Sequence, residues 1–191
     1  VACDDGDGTW DDDSDPATVC AARTTCATGS YVATEGDATN DRTCTACAGG
    51  TFSTTTNASS CAAWADCDPG EFASTPGTSS SDRVCSACGA GSYSSASNAS
   101  SCAAWTDCAA GQYVIGVGTS TTDRTCATCT PGSFSTSTNV ASCLAWDDCG
   151  AGQYVTANGT NMSNRTCAAC SAGSFTTSPN APSCASWSDC G

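Results

Sequence analysis

The sequence predicts a small, disulfide-rich fold that is irregular apart from short β-hairpins and that repeats as an elongated tandem array. Three observations lead to this prediction. The chain has 19 cysteines in 191 residues, they recur every 41 residues, and large apolar residues are scarce, with one Leu, one Ile, eight Val and four Phe. So few large side chains cannot fill a conventional core, so cross-links must supply the order.

The charged residues exclude several classes of function. Lys and His are absent, only five Arg are present, and the net charge is −14. Nucleic-acid binding needs clustered cations, and most acid–base catalysis uses His or Lys, so we predict neither nucleic-acid binding, nor a cofactor, nor an enzyme. No apolar run approaches the ~18 residues of a membrane span. The chain begins at Val1 without a signal peptide, and we interpret it as a processed piece of a secreted or cell-surface, extracellular protein.

The repeat unit is C-x5-C-x17-C-x2-C-x13, without insertion or deletion. Its register predicts an acidic partial repeat at 1–19, repeat 1 at 20–60, repeat 2 at 61–101, repeat 3 at 102–142, repeat 4 at 143–183, and the start of a further repeat at 184–191. Four cysteine series follow: the first is Cys20, Cys61, Cys102, Cys143 and Cys184; the second Cys26, Cys67, Cys108, Cys149 and Cys190; the third Cys3, Cys44, Cys85, Cys126 and Cys167; the fourth Cys47, Cys88, Cys129 and Cys170.

Glycines and aromatic residues keep the same register. Each second- and fourth-series Cys before residue 190 opens C-x2-G-x-[FY], which predicts a positive-φ turn at the Gly and an aromatic ring covering the nearby disulfide. Another Gly recurs in the middle of the long loop (Gly36, Gly77, Gly118, Gly159), and we predict that this loop forms a short, irregular β-hairpin. No stretch shows helical periodicity.

The cysteines could bind zinc or form disulfides. Cys44, Cys47, Cys61 and Cys67 have spacing close to that of a four-thiolate zinc site. The glycosylation sequons and the extracellular composition favour disulfides, and we predict no metal site.

A defect in the partial repeat favours one disulfide pairing. Gly6 stands where a fourth-series Cys is expected. Suppose each second-series Cys pairs with the next third-series Cys, and each fourth-series Cys with the next first-series Cys. This ladder leaves Cys3 free to pair with Cys20, and only Cys190 without a partner. An interlocked pairing (Cys20 with Cys44, Cys26 with Cys47) leaves three cysteines unpaired, so we predict the ladder. The pairs are Cys3–Cys20, Cys26–Cys44, Cys47–Cys61, Cys67–Cys85, Cys88–Cys102, Cys108–Cys126, Cys129–Cys143, Cys149–Cys167 and Cys170–Cys184.

The run "CATCTPGSFSTSTNVASCLAWDDC", followed by "GT" and then "NRTC", resembles the cysteine-rich repeats of the tumour necrosis factor receptor superfamily. The shared features are the C-x2-C-x2-G-x-[FY]-[ST] opening, a C-x2-W-x2-C pair and a D-x2-C close. The Trp recurs at Trp64, Trp105, Trp146 and Trp187, whereas Arg23 replaces it in repeat 1. The resemblance implies an extracellular, elongated ectodomain with two one-disulfide modules in each repeat.

Three further motifs have alternative interpretations. N-glycosylation sequons occur at Asn57, Asn98, Asn158, Asn161 and Asn164. Asn57 and Asn98 share their register with Asn139 and Asn180, which lack the Ser/Thr, so this Asn has a turn-forming role as well. The Asp-rich segment 3–16 fits a Ca²⁺ loop poorly, and we interpret it as solvated. An Arg lies two residues before each of four third-series cysteines (Arg42, Arg83, Arg124, Arg165), and we predict that it stacks on Trp and pairs with a carboxylate.

We predict a structural extracellular glycoprotein, a rod- or filament-forming segment. Its expected partners are copies of itself or a continuation of the chain, together with N-glycans and, as a further option, O-glycans. The repeats are near copies whose solvent-facing positions we expect to be small, and filaments are built by repeating equivalent contacts. The alternative is the ligand-binding ectodomain of a receptor similar to the tumour necrosis factor receptors. That alternative requires a specialised repeat with an exposed, non-repeated patch.

Overall fold

The computed structural model describes residues 8–11 and 19–188, and in these ranges the secondary structure consists of short antiparallel strand pairs without a helix. Accordingly, the described residues include no helix that could span a membrane. Within the described ranges, eighteen strands form nine two-stranded sheets, and each strand pairs with its neighbour along the chain. The predicted fold class, disulfide-rich and irregular with short β-hairpins in tandem repeats, is confirmed.

Each of the four repeats contains one longer hairpin, which pairs a five-residue strand with a four-residue strand. These hairpins are β3 (Ser30–Thr34) with β4 (Thr43–Ala46), β7 (Glu71–Thr75) with β8 (Val84–Ala87), β11 (Gln112–Gly116) with β12 (Thr125–Thr128), and β15 (Gln153–Ala157) with β16 (Thr166–Ala169). In each hairpin the first strand begins one residue after a positive-φ Gly. A second-to-third-series disulfide joins the segment before the first strand to the second strand.

A β-bulge interrupts every longer hairpin at the same place. In repeat 1, Val32 pairs with Cys44 and Thr34 with Thr43, so the intervening Ala33 has no partner on the opposite strand. The same shift occurs in the other three hairpins. A bulge re-aims the side chain of its extra residue. The bulge positions are Ala33, Ser74, Ile115 and Thr156.

Five shorter sheets each pair two residues with two. They are β1 (Thr9–Trp10) with β2 (Ala21–Ala22), β5 (Thr51–Phe52) with β6 (Ala62–Ala63), β9 (Ser92–Tyr93) with β10 (Ala103–Ala104), β13 (Ser133–Phe134) with β14 (Leu144–Ala145), and β17 (Ser174–Phe175) with β18 (Ala185–Ser186). A two-residue pair is not stable alone, so the fourth-to-first-series disulfide must hold it.

Eight disulfides join described cysteines, all in ladder order. Four close the longer hairpins (Cys26–Cys44, Cys67–Cys85, Cys108–Cys126, Cys149–Cys167), and four close the shorter pairs (Cys47–Cys61, Cys88–Cys102, Cys129–Cys143, Cys170–Cys184). Cys20 is disulfide-bonded as well, whereas Cys3 and Cys190 lie outside the described residues. The four thiols of the zinc alternative therefore all lie in disulfides.

The buried residues are mostly cysteines and serines, together with Val32 and Phe134, which are each 9% exposed. The second-series cysteines Cys26, Cys67, Cys108 and Cys149 are at most 1% exposed, and they are the largest fully buried side chains. Ser53, Ser94 and Ser135 are buried too. The hydroxyl of Ser135 donates to the carbonyl of Gln112 (2.9 Å) and accepts from the amide of Gly111 (2.9 Å), so its polar atom is satisfied.

The described chain divides into two compact units. The first contains the residues up to Cys88 together with Ser94–Cys102, and the second contains Gly89–Tyr93 together with the residues from Ala103 onward. The first unit holds the longer hairpins of repeats 1 and 2, and the second holds those of repeats 3 and 4.

Backbone hydrogen bonds attach each longer hairpin to the turn that follows it. The amide of Val32 donates to the carbonyl of Ala58 at 2.8 Å. The equivalent bonds, from Ala73 to Ala99, Val114 to Val140 and Val155 to Ala181, are 2.8–2.9 Å long. The predicted positive φ is present at all eight C-x2-G glycines, with values between 80° and 94°. Each of these glycines directly precedes the first strand of a longer or a shorter pair.

Candidate functional site: the groove of the third repeat

In repeats 2 to 4, a tryptophan lies flat on the loop glycine of the longer hairpin. A Cβ on Gly118 would come within 2.4 Å of the Trp105 ring, and the Trp64–Gly77 and Trp146–Gly159 pairs have the same spacing. The indole nitrogen of Trp105 donates to the carbonyl of Thr119 at 2.9 Å. The loop glycine therefore provides a flat surface for the ring. The sequence pattern predicted only that this Gly lies in the middle of the long loop.

The other face of each ring is covered by the predicted arginine. The guanidinium carbon of Arg124 lies 5.4 Å from the Trp105 ring centroid, with 5.5 Å for Arg83 over Trp64 and 5.6 Å for Arg165 over Trp146. Arg124 also pairs with Asp107 at 3.4 Å. Repeats 2, 3 and 4 have a Trp at this register, and the expected Trp–Arg stack is present in all three. Arg165 likewise pairs with Asp148 at 3.2 Å, so in repeats 3 and 4 the paired carboxylate is the one that precedes the second-series Cys. Arg83 instead donates to the Ala65 carbonyl and to Asn98.

An asparagine ties this stack to the disulfide. Asn139 accepts from the amide of Cys108 (2.9 Å) and from Arg124 (2.7 Å), and its side-chain amide donates to Asp107 (2.8 Å). Its φ of 58° is left-handed, a conformation that Asn tolerates better than most residues. Asn57, Asn98 and Asn180 have φ values between 53° and 59°. The turn-forming role expected of this Asn is therefore present at all four positions.

Carboxylates in this network are held ionised by hydrogen bonds. The hydroxyl of Thr106 donates to Asp123 at 2.5 Å and lowers the pKa of that carboxyl, and Thr24 acts in the same way on Asp41. The side-chain amide of Asn180 lowers the pKa of Asp148. These charges remain negative at neutral pH and add to the acidic character of the chain.

A groove of about 250 Å³ opens beside the Trp–Arg stack of repeat 3. We call it the third-repeat groove. Its lining consists of Trp105, Val114, Val117, Gly118, Arg124, Asn139 and Ala141. The indole ring, two valines and an alanine provide the apolar part of the lining, while Arg124 and Asn139 are already held by the contacts described above. The groove is thus formed by side chains that the hairpin fixes in place.

The hairpin of repeat 3 has exposed large apolar residues at two positions where the other longer hairpins have none: Val117 in the lining of the groove, and Ile115 next to the lining residue Val114. Ile115 is 60% exposed at the bulge and Val117 is 78% exposed at the tip. In repeats 1, 2 and 4 the position of Ile115 is Ala33, Ser74 or Thr156, and the position of Val117 is Glu35, Pro76 or Asn158. The expectation that solvent-facing positions are small is therefore wrong for repeat 3. The bulge exposes a residue whose side chain a regular strand would place differently.

Four other exposed apolar residues are also unique in register: Val19 (93% exposed), Val84 (52%), Leu144 (65%) and Met162 (56%). The other repeats have Ser, Thr or Ala at these registers. Such residues are individually common on protein surfaces, so none of them defines a site by itself. Among the described residues, Ile115 and Val117 differ from these four in occurring together on the hairpin that forms the third-repeat groove.

The five predicted glycosylation sequons lie in different surroundings. Asn57 and Asn98 occupy the left-handed turn and bind a cysteine amide, whereas Asn158 is exposed at the hairpin tip of repeat 4. Asn161 and Asn164 are half-buried. Most of the Asp-rich segment lies outside the described residues.

The sequence matches the family described as the TNFR/NGFR cysteine-rich region in three consecutive stretches, residues 47–85, 88–126 and 129–167. These stretches cover more than half of the chain, and the chain belongs to this family. Cysteine-rich domains of this family are extracellular, ligand-binding and non-enzymatic.

Solved structures with a similar fold include chains from three studies. A chain of the human RANKL/OPG complex is 19% identical, with a TM-score of 0.35, over 85% of this chain and 97% of that one. A chain of the mouse RANKL–OPG complex is 22% identical, with a TM-score of 0.32, over 68% and 96%. Equine lentivirus receptor 1 is 24% identical, with a TM-score of 0.33, over 52% and 94%. No curated protein sequence matches the chain.

Proposed function

We propose that this chain is a ligand-binding segment of a receptor-like ectodomain, and that the third-repeat groove holds an apolar side chain of a protein ligand. The observation that carries the proposal is the exposed Val117 in the groove lining, with Ile115 exposed next to the lining residue Val114, at two registers where the other repeats have no large apolar residue. A specialised, non-repeated patch distinguishes a receptor from a filament, because a filament repeats the same contact in every unit.

The size of the groove favours a protein ligand over a small molecule. Pockets for drug-sized ligands hold about 300–1,000 Å³. The third-repeat groove is smaller, at about 250 Å³, and it accommodates one anchoring side chain. Binding energy in protein interfaces is concentrated in such anchors, surrounded by contacts that exclude water.

The charge of the chain specifies the ligand further. The net charge is −14, Lys is absent, and Arg124 is already engaged by Trp105, Asn139 and Asp107. Long-range electrostatic attraction therefore acts on a positively charged partner. The ligand we propose has an apolar anchor residue within a basic surface, and its association slows as salt increases.

Family membership supports this interpretation over the filament that the uniform cysteine register suggested. The family is a ligand-binding one, and the groove rim differs between the repeats where a filament would require equivalence. The filament interpretation gains no support from either observation.

Binding can be tested with the purified full chain and a panel of extracellular ligand domains, beginning with RANKL, in surface plasmon resonance at two salt concentrations. We expect at least one basic ligand domain to bind, and we expect Val117→Asp to weaken that binding by at least tenfold. Pro76→Asp, at the same register in repeat 2, serves as the matched control and should leave the affinity unchanged.

The proposal is overturned if no ligand domain binds, or if Val117→Asp and Pro76→Asp weaken binding equally. Circular dichroism of both variants checks that the fold is intact, since both positions lie at exposed hairpin tips.

A further inference from the structure

Three consecutive sequons, at residues 158–160, 161–163 and 164–166, lie in the longer hairpin of repeat 4, and their asparagines make different contacts. The side-chain oxygen of Asn164 accepts from the amide of Asp147 (2.8 Å), and its side-chain nitrogen donates to the Asp147 carboxylate (2.7 Å). Asn164 thus accepts from a backbone amide in the way that Asp123 accepts from the amide of Thr106 in repeat 3. A glycan on this nitrogen would stand against Asp147.

The second of these asparagines, Asn161, is packed against repeat 3. Its side-chain nitrogen lies 2.7 Å from the position that a Cβ on Gly111 would occupy, and its carbonyl accepts from the amide of Ser135 at 3.0 Å. Asn161 is half-buried. A sugar on its nitrogen would have to occupy the space beside Gly111.

The first asparagine, Asn158, is free of such contacts. It is exposed, and within the described part of the chain its side chain makes no hydrogen bond. It lies between the end of β15 and the turn in which the amide of Thr160 donates to the carbonyl of Ser163 (2.9 Å). Its nitrogen can therefore carry a large substituent without disturbing the hairpin.

We infer that Asn158 is the N-glycan acceptor of repeat 4, and that its glycan covers the repeat-4 counterpart of the third-repeat groove. In the transfer, the side-chain nitrogen of Asn158 forms a bond to C1 of a sugar supplied by a lipid-linked oligosaccharide diphosphate. The bond from C1 to the phosphate oxygen breaks, the lipid diphosphate leaves, and the amide loses one proton.

The place of Asn158 gives this glycan a specific effect. A second groove, of about 280 Å³, lies in repeat 4 and is lined by Val155, Thr156, Ala157, Asn158, Asn180 and Pro182. Thr156 and Asn158 stand at the register of Ile115 and Val117. The polar, glycan-bearing rim closes this groove to an apolar anchor and confines the ligand to repeat 3. This second half of the inference rests on the proposed function.

Glycan mapping of the full chain, secreted from human cells, tests the acceptor without any ligand. The glycans are released enzymatically in H₂¹⁸O, so that each formerly occupied Asn is converted to a labelled Asp that peptide mass spectrometry locates. We expect the label at Asn158 and not at Asn161 or Asn164. An unlabelled Asn158, or label at Asn161 or Asn164 in its place, overturns the inference.

A pair of register-matched variants tests the role of the hairpin tip. Val117→Asn converts Val-Gly-Thr at residues 117–119 into the same tripeptide as at residues 158–160, and Asn158→Val does the reverse. We expect Val117→Asn to gain a glycan at residue 117, and Asn158→Val to lose the one in repeat 4. If residue 117 stays bare in a folded, secreted chain, tip geometry does not determine the acceptor.

The same variants separate the two halves of the inference. With a ligand domain found as above, Val117→Asn should abolish binding, whereas Val117→Gln, which has an amide side chain but forms no sequon and carries no glycan, should retain at least part of it. Binding that persists with the glycan attached overturns the masking effect, while the mapping result at Asn158 is unaffected.

Discussion

The longer hairpin of repeat 1 and those of repeats 2 to 4 share a disulfide, a bulge and a capping turn, yet they are held by different forces. In repeats 2 to 4 an indole lies between a glycine and a guanidinium. In repeat 1, Arg23 stands at the position of the indole, and Arg42 pairs with Glu35 at 3.0 Å. Among the described residues, the atoms nearest to the Cβ position of Gly36 are backbone atoms of its own loop.

The loop glycine shows the difference most directly. Gly36 has a φ of 73°, and a Cβ on it would lie 2.6 Å from the carbonyl oxygen of Asn40. Gly77, Gly118 and Gly159 do not have a positive φ. At these three positions it is the tryptophan ring that leaves no space for a Cβ. The same residue at the same register is thus required for a backbone reason in repeat 1 and for a packing reason in the other repeats.

The capping turn at the hairpin tip varies in the same way. In repeat 1, Asp37 accepts from the amides of Thr39 and Asn40 at 2.8 Å. The bond from the Thr39 amide, followed by the bonds from the side chains of Asn40 and Thr39, lowers the pKa of Asp37 to about 2. In repeats 2 to 4 a Thr hydroxyl takes this place, at Thr78, Thr119 and Thr160. The carbonyl of each Thr accepts from the indole nitrogen. Because repeat 1 has the same disulfide and strand pairing without a Trp at this register, these two features are sufficient for the hairpin. The Trp–Arg stack is an additional contact in repeats 2 to 4.

The largest expected effect is the loss of a hairpin disulfide. Replacing both Cys108 and Cys126 by Ala should lower the free energy of unfolding by about 3 kcal/mol, because the cross-link constrains a loop of 18 residues in the unfolded chain. The same replacement at Cys26 and Cys44 should cost a similar amount. Hydrogen exchange should nevertheless show a more open hairpin in repeat 1, where no Trp–Arg stack remains. Equal exchange in the two mutated hairpins would mean that the stack adds no local stability.

The next effect concerns the glycine beneath the ring. Gly118→Ala should cost about 2 kcal/mol, because a Cβ at 2.4 Å forces Trp105 off its seat. Thermal unfolding measures the loss, and tryptophan fluorescence should report a more exposed ring. Gly36→Ala should also destabilise the chain, through backbone strain, but without a change in tryptophan emission. An emission change of equal size in both variants would contradict the distinction between the two glycines.

A smaller effect is expected from the arginines. Arg124→Gln removes the contact with the Trp105 ring and the hydrogen bonds to Thr106 and Asn139, and it should cost about 1–2 kcal/mol. Arg42→Gln removes a pair with Glu35, which is 71% exposed, and should cost less than about 1 kcal/mol. Chemical denaturation of the two variants measures the difference. A larger loss of stability for Arg42→Gln than for Arg124→Gln would contradict the expectation that the Trp–Arg stack contributes more than the Arg42–Glu35 pair.

The smallest effect is a dependence on acid. The pKa of Asp123 is lowered below its ordinary 3.8 in the folded chain, chiefly by the Thr106 hydroxyl. Its stabilising contribution is therefore complete above that ordinary pKa and is lost as the pH falls through the lowered value. Exchange of the Thr106 amide should accelerate over this range. Asp123→Asn, which copies Asn164 of repeat 4, should remove this acceleration. If the variant keeps it, the cause lies elsewhere.

The register of the cysteines was sufficient to predict the ladder among the described residues, because one pairing leaves fewer unpaired thiols than the other. The positive-φ turns at the C-x2-G glycines and the stacking of Arg on Trp also follow from residue type and spacing. These features depend on contacts that recur in every copy, and repetition makes them visible in a single sequence.

The features that define the candidate site could not be predicted in this way. The seat of Trp105 on Gly118 joins residues 13 positions apart, and only the folded hairpin brings them together. The exposure of Ile115 follows from a bulge, which alternation of polar and apolar residues does not show. The uniform cysteine register favoured a filament because it emphasises what the repeats share. The apolar surface beside the groove instead depends on Ile115 and Val117, two positions at which repeat 3 differs from the other repeats.

The bonds from each longer hairpin to the following turn have a consequence for how such a chain can change over evolutionary time. They run from amide to carbonyl 26 residues further on, from Val32 to Ala58 and from Val114 to Val140, and no side-chain atom takes part. A duplication or deletion of 41 codons therefore joins old and new segments through groups that every residue except proline supplies. The number of copies can drift without compensating substitutions, whereas the gain or loss of a single codon between these partners would shift the attachment by one residue.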